Sequence, residues 1–567
     1  MGVGGVVKFI LRRLLEITLI AAVLVLIPNL PPHANFSKPI SRVSPKPFTG
    51  KLSLNNRLDN IEKWHKGDFV GPEGLAELNG ELYTSLYTGD IVKLTGEHIT
   101  PIVKFGRPCK NSYEESICGR PLGIEFDQNG YLFAADAYYG IFKVDVKTGK
   151  KEQLVGPNTV IEGKKAKIFN SVALASNGDI YWTDSSSDFT LEDGLFTLLA
   201  DPSGRLMHYN AKTKTNKVLI DELFFANGVA LSKDEEFVIV AETGSSRIQR
   251  YHLKGPKQGK KDVFIDGLPG LPDNLTPDGK GGFIVPLLYS FDNEHPNMFQ
   301  SIGPFPWLRK AIARVMGVTE YLFRKIDELY PNEFSLKAMH FIGHFTSSPS
   351  WLGAQRSTIL RVDKNGQIAD SVHTDKIKSF FCDVKIIRDT VYLGSPFNDY
   401  LGRIPLANLG WEDLRQDERV KRAAPVETPK PTTQKPTTTT PPPSTTQKAT
   451  TTTQKPTTTT PKPTTTTPKP TTTTQPTTTT PKPTTTTTKP TTTTPKPITT
   501  TPKPTTTTPK PTTAKPAPTQ AKQQAKAVPA QPKQATPQAQ KVPQQTQQQK
   551  QNPPVKQAPK PTQGNRK

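Results

Sequence analysis

Short apolar runs separated by Gly, Asp and Asn turns fill most of the chain between residues 52 and 409. The stretch FFANGVALSKDEEFVIVAET, residues 224–243, shows one unit: an apolar step, a turn, and a second apolar step that ends in Ala-Glu. Related units begin at Gly71, Arg120, Phe169, Leu271 and Phe381. Short strands that recur at roughly 40–50 residues are typical of a β-propeller, whereas a β-sandwich has no reason to repeat one turn at a fixed spacing. The pattern predicts an all-β fold, a six-bladed β-propeller over residues 40–410.

A helical pattern interrupts the repeat within residues 291–351. The apolar residues that recur there at helical spacing are Leu308, Ile312, Val315, Met316, Val318, Leu322 and Ile326. Basic residues lie between them, at Arg309, Lys310, Arg314, Arg324 and Lys325. The favoured interpretation is a lid helix packed on one face of the propeller. The alternative is a basic amphipathic helix that touches lipid.

The N-terminus carries Lys8, Arg12 and Arg13 ahead of an apolar run over residues 14–30. A helix of that length spans about 25 Å, close to the thickness of a bilayer core. Because the positive flank precedes the run, we expect residues 1–13 to be cytoplasmic, 14–30 to be a signal-anchor transmembrane helix, and the rest to be extracellular. A cleaved signal peptide is the alternative. The sequence NFS then makes Asn35 a candidate N-glycosylation site.

The C-terminal part has a different composition. From Thr428 onward there are 20 Lys, one Arg and no Asp or Glu, so +21 of the formal net charge of +23 lies there and does not indicate a nucleic-acid surface on the rest of the chain. Residues 428–513 repeat PKPTTTT with drift, and residues 514–567 are rich in Gln, Pro and Lys. Such segments cannot bury a core and are expected to be disordered. We expect an O-glycosylated, mucin-like stalk that binds lectins, the alternative being a cationic tail that adheres to acidic polymers.

A linker, residues 411–427, joins the two parts. It contains Arg-Val-Lys-Arg at residues 419–422, the form that subtilisin-like processing enzymes cut. Cleavage after Arg422 would release a shed or secreted form, and a solvated basic linker is the alternative.

The cysteines and histidines form no common metal-binding or redox motif, since CxxC, HExxH and P-loop patterns are absent from the sequence. Cys109 and Cys118 could close a small disulfide loop in an oxidising compartment, and Cys382 lies in an apolar strand as expected of a buried free thiol. The pair of histidines in HFIGH, residues 340–344, is interpreted as structural.

One end of the predicted propeller collects oxygen-bearing side chains. The turns that enter the innermost strands supply Glu73, Asn170, Asn227, Asp273 and Asn274. Carboxylate and amide oxygens are the ligands that Ca²⁺ requires. The recurrence of such a residue at the same step of the repeat predicts a calcium site, although each residue alone could be a turn former.

Seven motifs in chain order, GPEG, PLGI, YWTDSSS, FANGVALS, VAET, LPGLPDN and VYLGSP, resemble the strictosidine synthase-like family of six-bladed propellers. The resemblance implies a type II membrane glycoprotein, with arylesterase activity in animal members and, where a Thr-rich tail is added, a blood-cell surface mucin linked to lectin binding and immune induction. It implies calcium at the five mouth residues and favours pairing Cys109 with Cys118.

The chain departs from the family pattern at two positions. Related lactonases place a His where this chain has Leu122, and the synthase base, a Glu on the last blade, is replaced by Cys382 or Asp383. An alkaloid-forming condensation is therefore not expected. Asp273 is the candidate catalytic residue, as a metal-bound nucleophile or as the group that activates water.

The expected function is that of a cell-surface, calcium-binding mucin of blood cells acting in adhesion, lectin recognition and innate immunity. The alternative is a membrane-tethered, calcium-dependent arylesterase or lactonase that acts on a small ester or lactone.

Overall fold

The structure is a computed structural model that describes residues 3–345, 353–354, 356–378 and 380–416. The candidate cleavage site at Arg422 and the tail segments 428–513 and 514–567 lie outside the described residues.

Strands dominate the described part of the chain. A short first strand, β1 (Glu62–Trp64), precedes six successive antiparallel sheets, here called blades one to six. Blade one holds β2 (Leu75–Leu78), β3 (Glu81–Ser85), β4 (Asp90–Thr95) and β5 (His98–Lys104). Blade two holds β6 (Pro121–Phe126), β7 (Tyr131–Asp136), β8 (Gly140–Asp145) and β9 (Lys150–Val155), and a separate hairpin follows, β10 (Val160–Ile161) and β11 (Lys164–Lys165).

The second half repeats the arrangement. Blade three holds β12 (Phe169–Leu174), β13 (Ile180–Asp184), β14 (Gly204–Asn210) and β15 (Thr215–Leu223). Blade four holds β16 (Ala226–Leu231), β17 (Phe237–Glu242), β18 (Arg247–His252) and β19 (Lys261–Ile265). In blade five the inner strand is broken into β20 (Gly270–Pro272) and β21 (Thr276–Pro277), which pair with β22 (Phe283–Ser290), followed by β23 (Ser357–Val362) and β24 (Ile368–Thr374). Blade six holds β25 (Asp383–Ile387), β26 (Thr390–Gly394) and β27 (Leu401–Pro405).

The blades close into a ring. Strand β1 pairs with β27, with Glu62 opposite Arg403, so a segment from before blade one completes blade six. The inner strands β2, β6, β12, β16, β21 and β25 each contact the next in this order, and β25 contacts β2. The predicted all-β, propeller-type fold is therefore confirmed.

The core consists of apolar layers between neighbouring blades. Trp182 of blade three is fully buried and stacks on Phe169 at 5.2 Å between ring centroids. The middle of β17, residues 238–241, is buried on both sides. Strands with both faces covered read as continuous apolar runs, which explains why FVIVAE shows no alternation.

The described helices lie outside the blades. They are α1 (Val3–Leu26), α2 (Glu115–Cys118), α3 (Gly194–Thr197), α4 (Met298–Ile302), α5 (Pro306–Leu329), α6 (Glu333–Gly343) and α7 (Leu406–Leu409). Short 3₁₀ turns occur at Gly50–Leu52, Ser112–Glu114, Leu191–Asp193, Thr243–Ser245 and Glu412–Leu414.

The N-terminal helix differs from the predicted anchor. Helix α1 ends at Leu26, before Pro28, so it includes only part of the predicted span 14–30, and Glu16 lies within that part. Over the described ranges, no helix combines the length and the apolar character needed to cross a membrane.

Candidate functional site at the mouth of the propeller

The inner strands are irregular at the positions where the sequence places its candidate ligands. The pairing register shifts between Pro121 and Ile124 in β6, and the same kind of shift occurs at the start of β12, β16 and β20. A β-bulge bends its strand and re-aims a side chain. These bulges hold Leu122, Asn170 and Asn227, while Asp273 lies in the break between β20 and β21.

Buried hydroxyl groups join each of these inner strands to a neighbouring blade. Thr183 Oγ1 donates a hydrogen bond of 2.7 Å to the carbonyl of Asn227 and accepts one of 3.0 Å from the N–H of Ser171. Ser85 donates to the carbonyl of Leu122 at 3.1 Å, and Thr243 donates to that of Pro272 at 2.7 Å. These bonds fix the inner strands against one another, so the side chains at their ends are held in place.

Four of the five predicted ligands share one cavity. Glu73, Asn170, Asn227 and Asp273 line a cavity of about 100 Å³ at the mouth, and all four side chains are buried. Asn274 is also buried but lines a different cavity, on the other side of the inner strands. The structure therefore places four of the five predicted residues on one cavity, while Asn274 lines the other cavity.

The wall of this cavity, here called the mouth cavity, is mostly apolar. Its apolar and aromatic lining consists of Leu122, Leu191, Leu198, Phe225, Leu271, Leu288, Tyr289, Phe291, Met298, Phe299, Phe345 and Phe397. Met298, Phe299, His344 and Phe345 come from the insertion between β22 and β23, so its helices α4 and α6 help to close the mouth.

Arg120 supplies a positive charge that sequence reasoning missed. Its guanidinium donates to Glu73 Oε2 at 2.6 Å and lies 4.1 Å from the centroid of the Tyr87 ring. All three side chains are buried in the lining of the mouth cavity. Burial raises the pKa of Glu73 even though Arg120 favours its charged form. Removing a charged pair from water costs free energy unless the two groups form a well-aligned contact. The short Arg120–Glu73 hydrogen bond is such a contact.

Asp273 is the second carboxyl of the mouth cavity. Burial, followed by repulsion from Glu73 and from Asp383, raises its pKa well above the ordinary value, while a hydrogen bond from Asn227 acts in the opposite direction. Two carboxyl groups that cannot easily ionise together are the setting in which a bound cation would be favourable.

Three polar atoms in the lining lack partners. Within the described residues, Asn227 Oδ1, Tyr87 Oη and Asn297 Nδ2 are buried and make no hydrogen bond. Together they include an acceptor, a hydroxyl and a donor. Buried polar atoms are nearly always paired in folded proteins, so three such atoms on one cavity indicate a ligand-binding role.

A contact between a carboxyl group and an imidazole lies beside the Glu73–Arg120 pair. Glu115, on α2, is buried, and its Oε1 lies 3.1 Å from Nε2 of His344, which follows α6. Although burial alone would raise it, His344, Arg120 and a hydrogen bond from Tyr138 lower the pKa of Glu115 to about 2. From the sequence, the histidines of HFIGH are expected to be structural, but His344 lines the mouth cavity. Its position at the end of an insertion that is expected to act as a lid is the feature of the sequence that could have indicated this.

The cysteine predictions are confirmed. Cys109 and Cys118 form a disulfide with their Cα atoms 5.5 Å apart, and Cys382 is buried and free. Asp383 accepts hydrogen bonds from the N–H of Leu75 at 2.8 Å and from Thr276 Oγ1 at 3.2 Å, while burial raises its pKa to about 6. Asn35, the candidate glycosylation site, is exposed.

The oxygen atoms that line the mouth cavity are the candidate ligands for a metal ion. In the part of the chain that the structure describes, no group of three or more His, Cys, Asp and Glu side chains is placed to hold one. The mouth offers two carboxyl groups, with amides as the remaining candidates, and the unpaired Asn227 Oδ1 is an oxygen available to a cation. Glu73, Asn170, Asn227 and Asp273 therefore fit a hard, oxygen-binding cation such as Ca²⁺.

Comparison with known proteins establishes the family. Two family models match, "Strictosidine synthase" over residues 170–256 and "Strictosidine synthase-like, N-terminal" over residues 50–94. The "Adipocyte plasma membrane-associated protein Hemomucin" of Drosophila melanogaster is 47% identical over 399 residues, covering 69% of this chain and 69% of that protein. The chain belongs to the strictosidine synthase-like family. Another member, the human adipocyte plasma membrane-associated protein, is 37% identical over 283 residues, covering 49% of this chain and 68% of the human protein.

Solved structures give weaker similarities for this strictosidine synthase-like chain. A gluconolactonase of Xanthomonas campestris superimposes with a TM-score of 0.39 at 15% identity, covering 67% of this chain and 99% of that one. A calcium-binding protein of Agrobacterium tumefaciens, regucalcin, gives 0.36 at 11% identity, covering 59% and 90%. At these TM-scores the superpositions are too loose to carry a site from either protein to this one.

Proposed function

We propose that the mouth cavity binds a small apolar ester or lactone together with Ca²⁺ and hydrolyses it. The observation that carries this proposal is the set of three unpaired polar atoms, Asn227 Oδ1, Tyr87 Oη and Asn297 Nδ2, on an otherwise apolar wall. A mostly apolar pocket with a few convergent polar groups is the usual form of a small-molecule site.

Glu73, Asn170, Asn227 and Asp273 are the residues that would hold calcium. A bound Ca²⁺ supplies electrostatic stabilisation of negative charge on a carbonyl oxygen. Asn274, the fifth residue of the predicted set, lines the other cavity and is not included.

The remaining roles belong to side chains in the lining. Tyr87 Oη is a hydroxyl donor without a partner in the described residues, so it would donate to the carbonyl of a bound ester. Asp273 is the carboxyl group placed to accept a proton from attacking water. Phe225, Phe345 and Phe397 exclude bulk water and contact the apolar part of the substrate.

The test is the melting temperature of the full chain with calcium and with chelator, followed by a hydrolysis screen of aryl esters and lactones. A ligand at 100 times its Kd stabilises the folded state by about 2.7 kcal/mol, so a rise of several degrees is expected. Asn227→Ala should abolish the rise, and the matched exposed variant Asn293→Ala should keep it. Asp273→Asn should remove turnover. An unchanged melt together with no turnover would contradict the proposal.

A second candidate function rests on the tail and on a relative named hemomucin. We infer that residues 428–513 form an O-glycosylated mucin stalk that binds lectins and acts in blood-cell adhesion and innate immunity. Dense, repeated glycans favour multivalent binding. Lectin retention of the full chain, compared with a variant that ends at residue 427, tests this role separately from turnover at the mouth.

The proposed location is the cell membrane, with the apolar run over residues 14–30, which α1 covers in part, as a single-pass type II anchor and the propeller and tail outside. The relatives are named as plasma membrane-associated proteins, which supports membrane association. A protease-protection assay on intact cells tests the orientation. Intact mass of the extracellular form, with and without Arg422→Ala, tests release by cleavage.

A further inference from the structure

Helix α5 buries several charged side chains and exposes several apolar ones, although Ile312 and Met316 on its inner side pack against the core. Arg309, Arg314 and Glu320 are buried against the rest of the protein, whereas Leu322 is 57% exposed and Leu329 is 85% exposed. A helix on the surface of a soluble protein normally turns its charged side chains to water and its apolar side inward.

Four exposed apolar residues share one side of the helix. Residues 315, 322, 326 and 329 are spaced by seven, four and three positions, which places them on one side of a helix. These four, here called the α5 stripe, are Val315, Leu322, Ile326 and Leu329, and the buried Ala311 separates them from exposed Trp307. Exposed Phe305 and Tyr330 lie just before and just after α5. Contiguous apolar surface of this kind marks a site of interaction with a protein or a membrane.

The opposite side of α5 is firmly held, so the stripe cannot rotate inward without breaking contacts. Arg309 donates to the carbonyl of Leu199 at 2.5 Å and also bonds Asp201 at 3.3 Å. Gly317 packs against Pro31 and Pro32 so closely that an added Cβ would lie 2.7 Å from the Pro32 ring. The exposure of the stripe is therefore a property of the packed helix.

The same helix holds the end of α1. Arg314 donates to the carbonyls of Val25 at 3.1 Å and Ile27 at 2.5 Å, which lie at the C-terminal end of α1. The two helices pack against each other here, and α1 also has exposed apolar side chains, such as Ile20 and Leu26. The first residue of the α5 stripe, Val315, follows directly after Arg314, which holds the end of α1.

We propose that the α5 stripe lies on the lipid surface beside the membrane-anchored α1, so that the helical lid of the mouth cavity faces the membrane. Continuity with α1 favours lipid as the occupant. An aromatic residue at each end, with Lys325 beside the apolar row, is the side-chain pattern of an interfacial helix. The chain's own tail is unsuited to cover the stripe, because residues 428–567 contain no Leu, Phe, Trp, Tyr or Met. This inference rests on the proposed anchoring through α1.

The test places a polarity-sensitive fluorophore on the full chain, reconstituted in phosphatidylcholine vesicles that contain lipids with brominated acyl chains. Cys109 and Cys118 are joined and Cys382 is buried, so an introduced cysteine would be the reactive one among the described residues. A probe at Leu322→Cys should be quenched several-fold more by brominated lipid than one at the control position Lys280→Cys, an exposed loop residue. Charged variants test the stripe itself. Ile326→Glu should reduce the quenching at position 322, whereas the control Asn365→Glu, at an exposed residue of the β23–β24 turn, should leave it unchanged.

Three results separate the possibilities. Quenching by aqueous iodide but not by brominated lipid would overturn the proposal. Protection from both quenchers that grows with protein concentration would also overturn it, in favour of a second copy on the stripe. Resistance to alkaline carbonate extraction, measured on the same samples, reports anchoring by α1 separately from contact by α5.

Discussion

The two ends of the propeller channel are built from the same inner strands and have opposite character. Strand β12 contributes Asn170 to the mouth cavity and Leu174 to the cavity at the other end. The mouth cavity has a volume of about 100 Å³ and is covered by aromatic residues and by the insertion. The other cavity, here called the open end, has a volume of about 340 Å³ and includes Lys233, Glu235 and Lys385 in its lining.

The difference indicates that exclusion of water, rather than residue type, decides how strongly a carboxyl group interacts with its neighbours. Charged side chains occur at both ends, but Glu73, Asp273 and Arg120 at the mouth are all buried, whereas the open end combines buried Asp383 with exposed Lys233. Interactions between charges are stronger where water is excluded, so changes at the mouth should have the larger consequences.

The largest effect is expected from Arg120→Leu. Removing one partner of a buried ion pair leaves Glu73 buried and unpaired, and should lower the free energy of unfolding by about 3–5 kcal/mol. Urea unfolding of the full chain, followed by tryptophan fluorescence, measures it. The double variant Arg120→Leu/Glu73→Leu should recover most of the loss. Lys233→Leu, at an exposed position of the open end, should change stability by no more than about 0.5 kcal/mol. An equal effect at both ends would contradict the comparison.

The next largest effect concerns Asp136, at the end of β7. Burial raises its pKa to about 7, and its Oδ2 has no hydrogen-bond partner among the described residues. Because the folded-state pKa lies above the unfolded value, the stabilisation is complete below pH ~4 and is lost as the pH rises through 7, by up to about 4 kcal/mol. Between pH 4 and 8 the free energy of unfolding should fall less steeply with pH in Asp136→Asn than in the parent chain, and as steeply as in the parent in Asp127→Asn, a substitution in the β6–β7 turn. Part of the slope should remain in Asp136→Asn, because burial also raises the pKa of Asp184 to about 7 and that of Asp383 to about 6. Equal slopes in the two variants would assign the pH dependence to other groups.

Loss of the disulfide should have an intermediate effect. Cys109 and Cys118 are nine residues apart, and a loop of this size stabilises a fold by about 2–3 kcal/mol in the chain-entropy account. Cys109→Ala/Cys118→Ala should lower the free energy of unfolding by that amount. Calcium-dependent stabilisation should weaken as well, because Cys118 ends the helix that holds Glu115 beside His344. A variant that keeps full stability would show that the loop is already ordered without the bond.

The smallest of these effects is expected from Thr183→Val. The change leaves the carbonyl of Asn227 and the N–H of Ser171 without their buried partner, at a cost of about 2 kcal/mol. The matched variant Thr215→Val, at an exposed position on β15, should stay within about 0.5 kcal/mol of the parent chain. If thermal melts show equal shifts, the hydroxyl group does not join the inner strands as described.

The propeller repeat and the four oxygen-bearing residues of the mouth cavity could be predicted, because each depends on a pattern of residues close together in the sequence. The propeller repeat depends on turns and short apolar runs that recur along the chain, as in FANGVALS. Glu73, Asn170, Asn227 and Asp273 occupy the same step of that repeat, and the bulges that hold Asn170 and Asn227 are formed by adjacent residues. The disulfide spans a short loop for the same reason.

The remaining features depend on contacts between distant segments. Arg120 meets Glu73 across 47 residues, and His344 reaches Glu115 from an insertion in blade five. The periodicity of α5 indicates an amphipathic helix, but only the tertiary contacts of Arg309 and Arg314 show that these two charged side chains are buried. Thus the sequence by itself determined the repeat, the ligand-bearing turns and the amphipathic helix, because each is a pattern of near neighbours. Only the tertiary structure decided which charges were paired and which face met the surroundings, because burial is set by segments far apart in the chain.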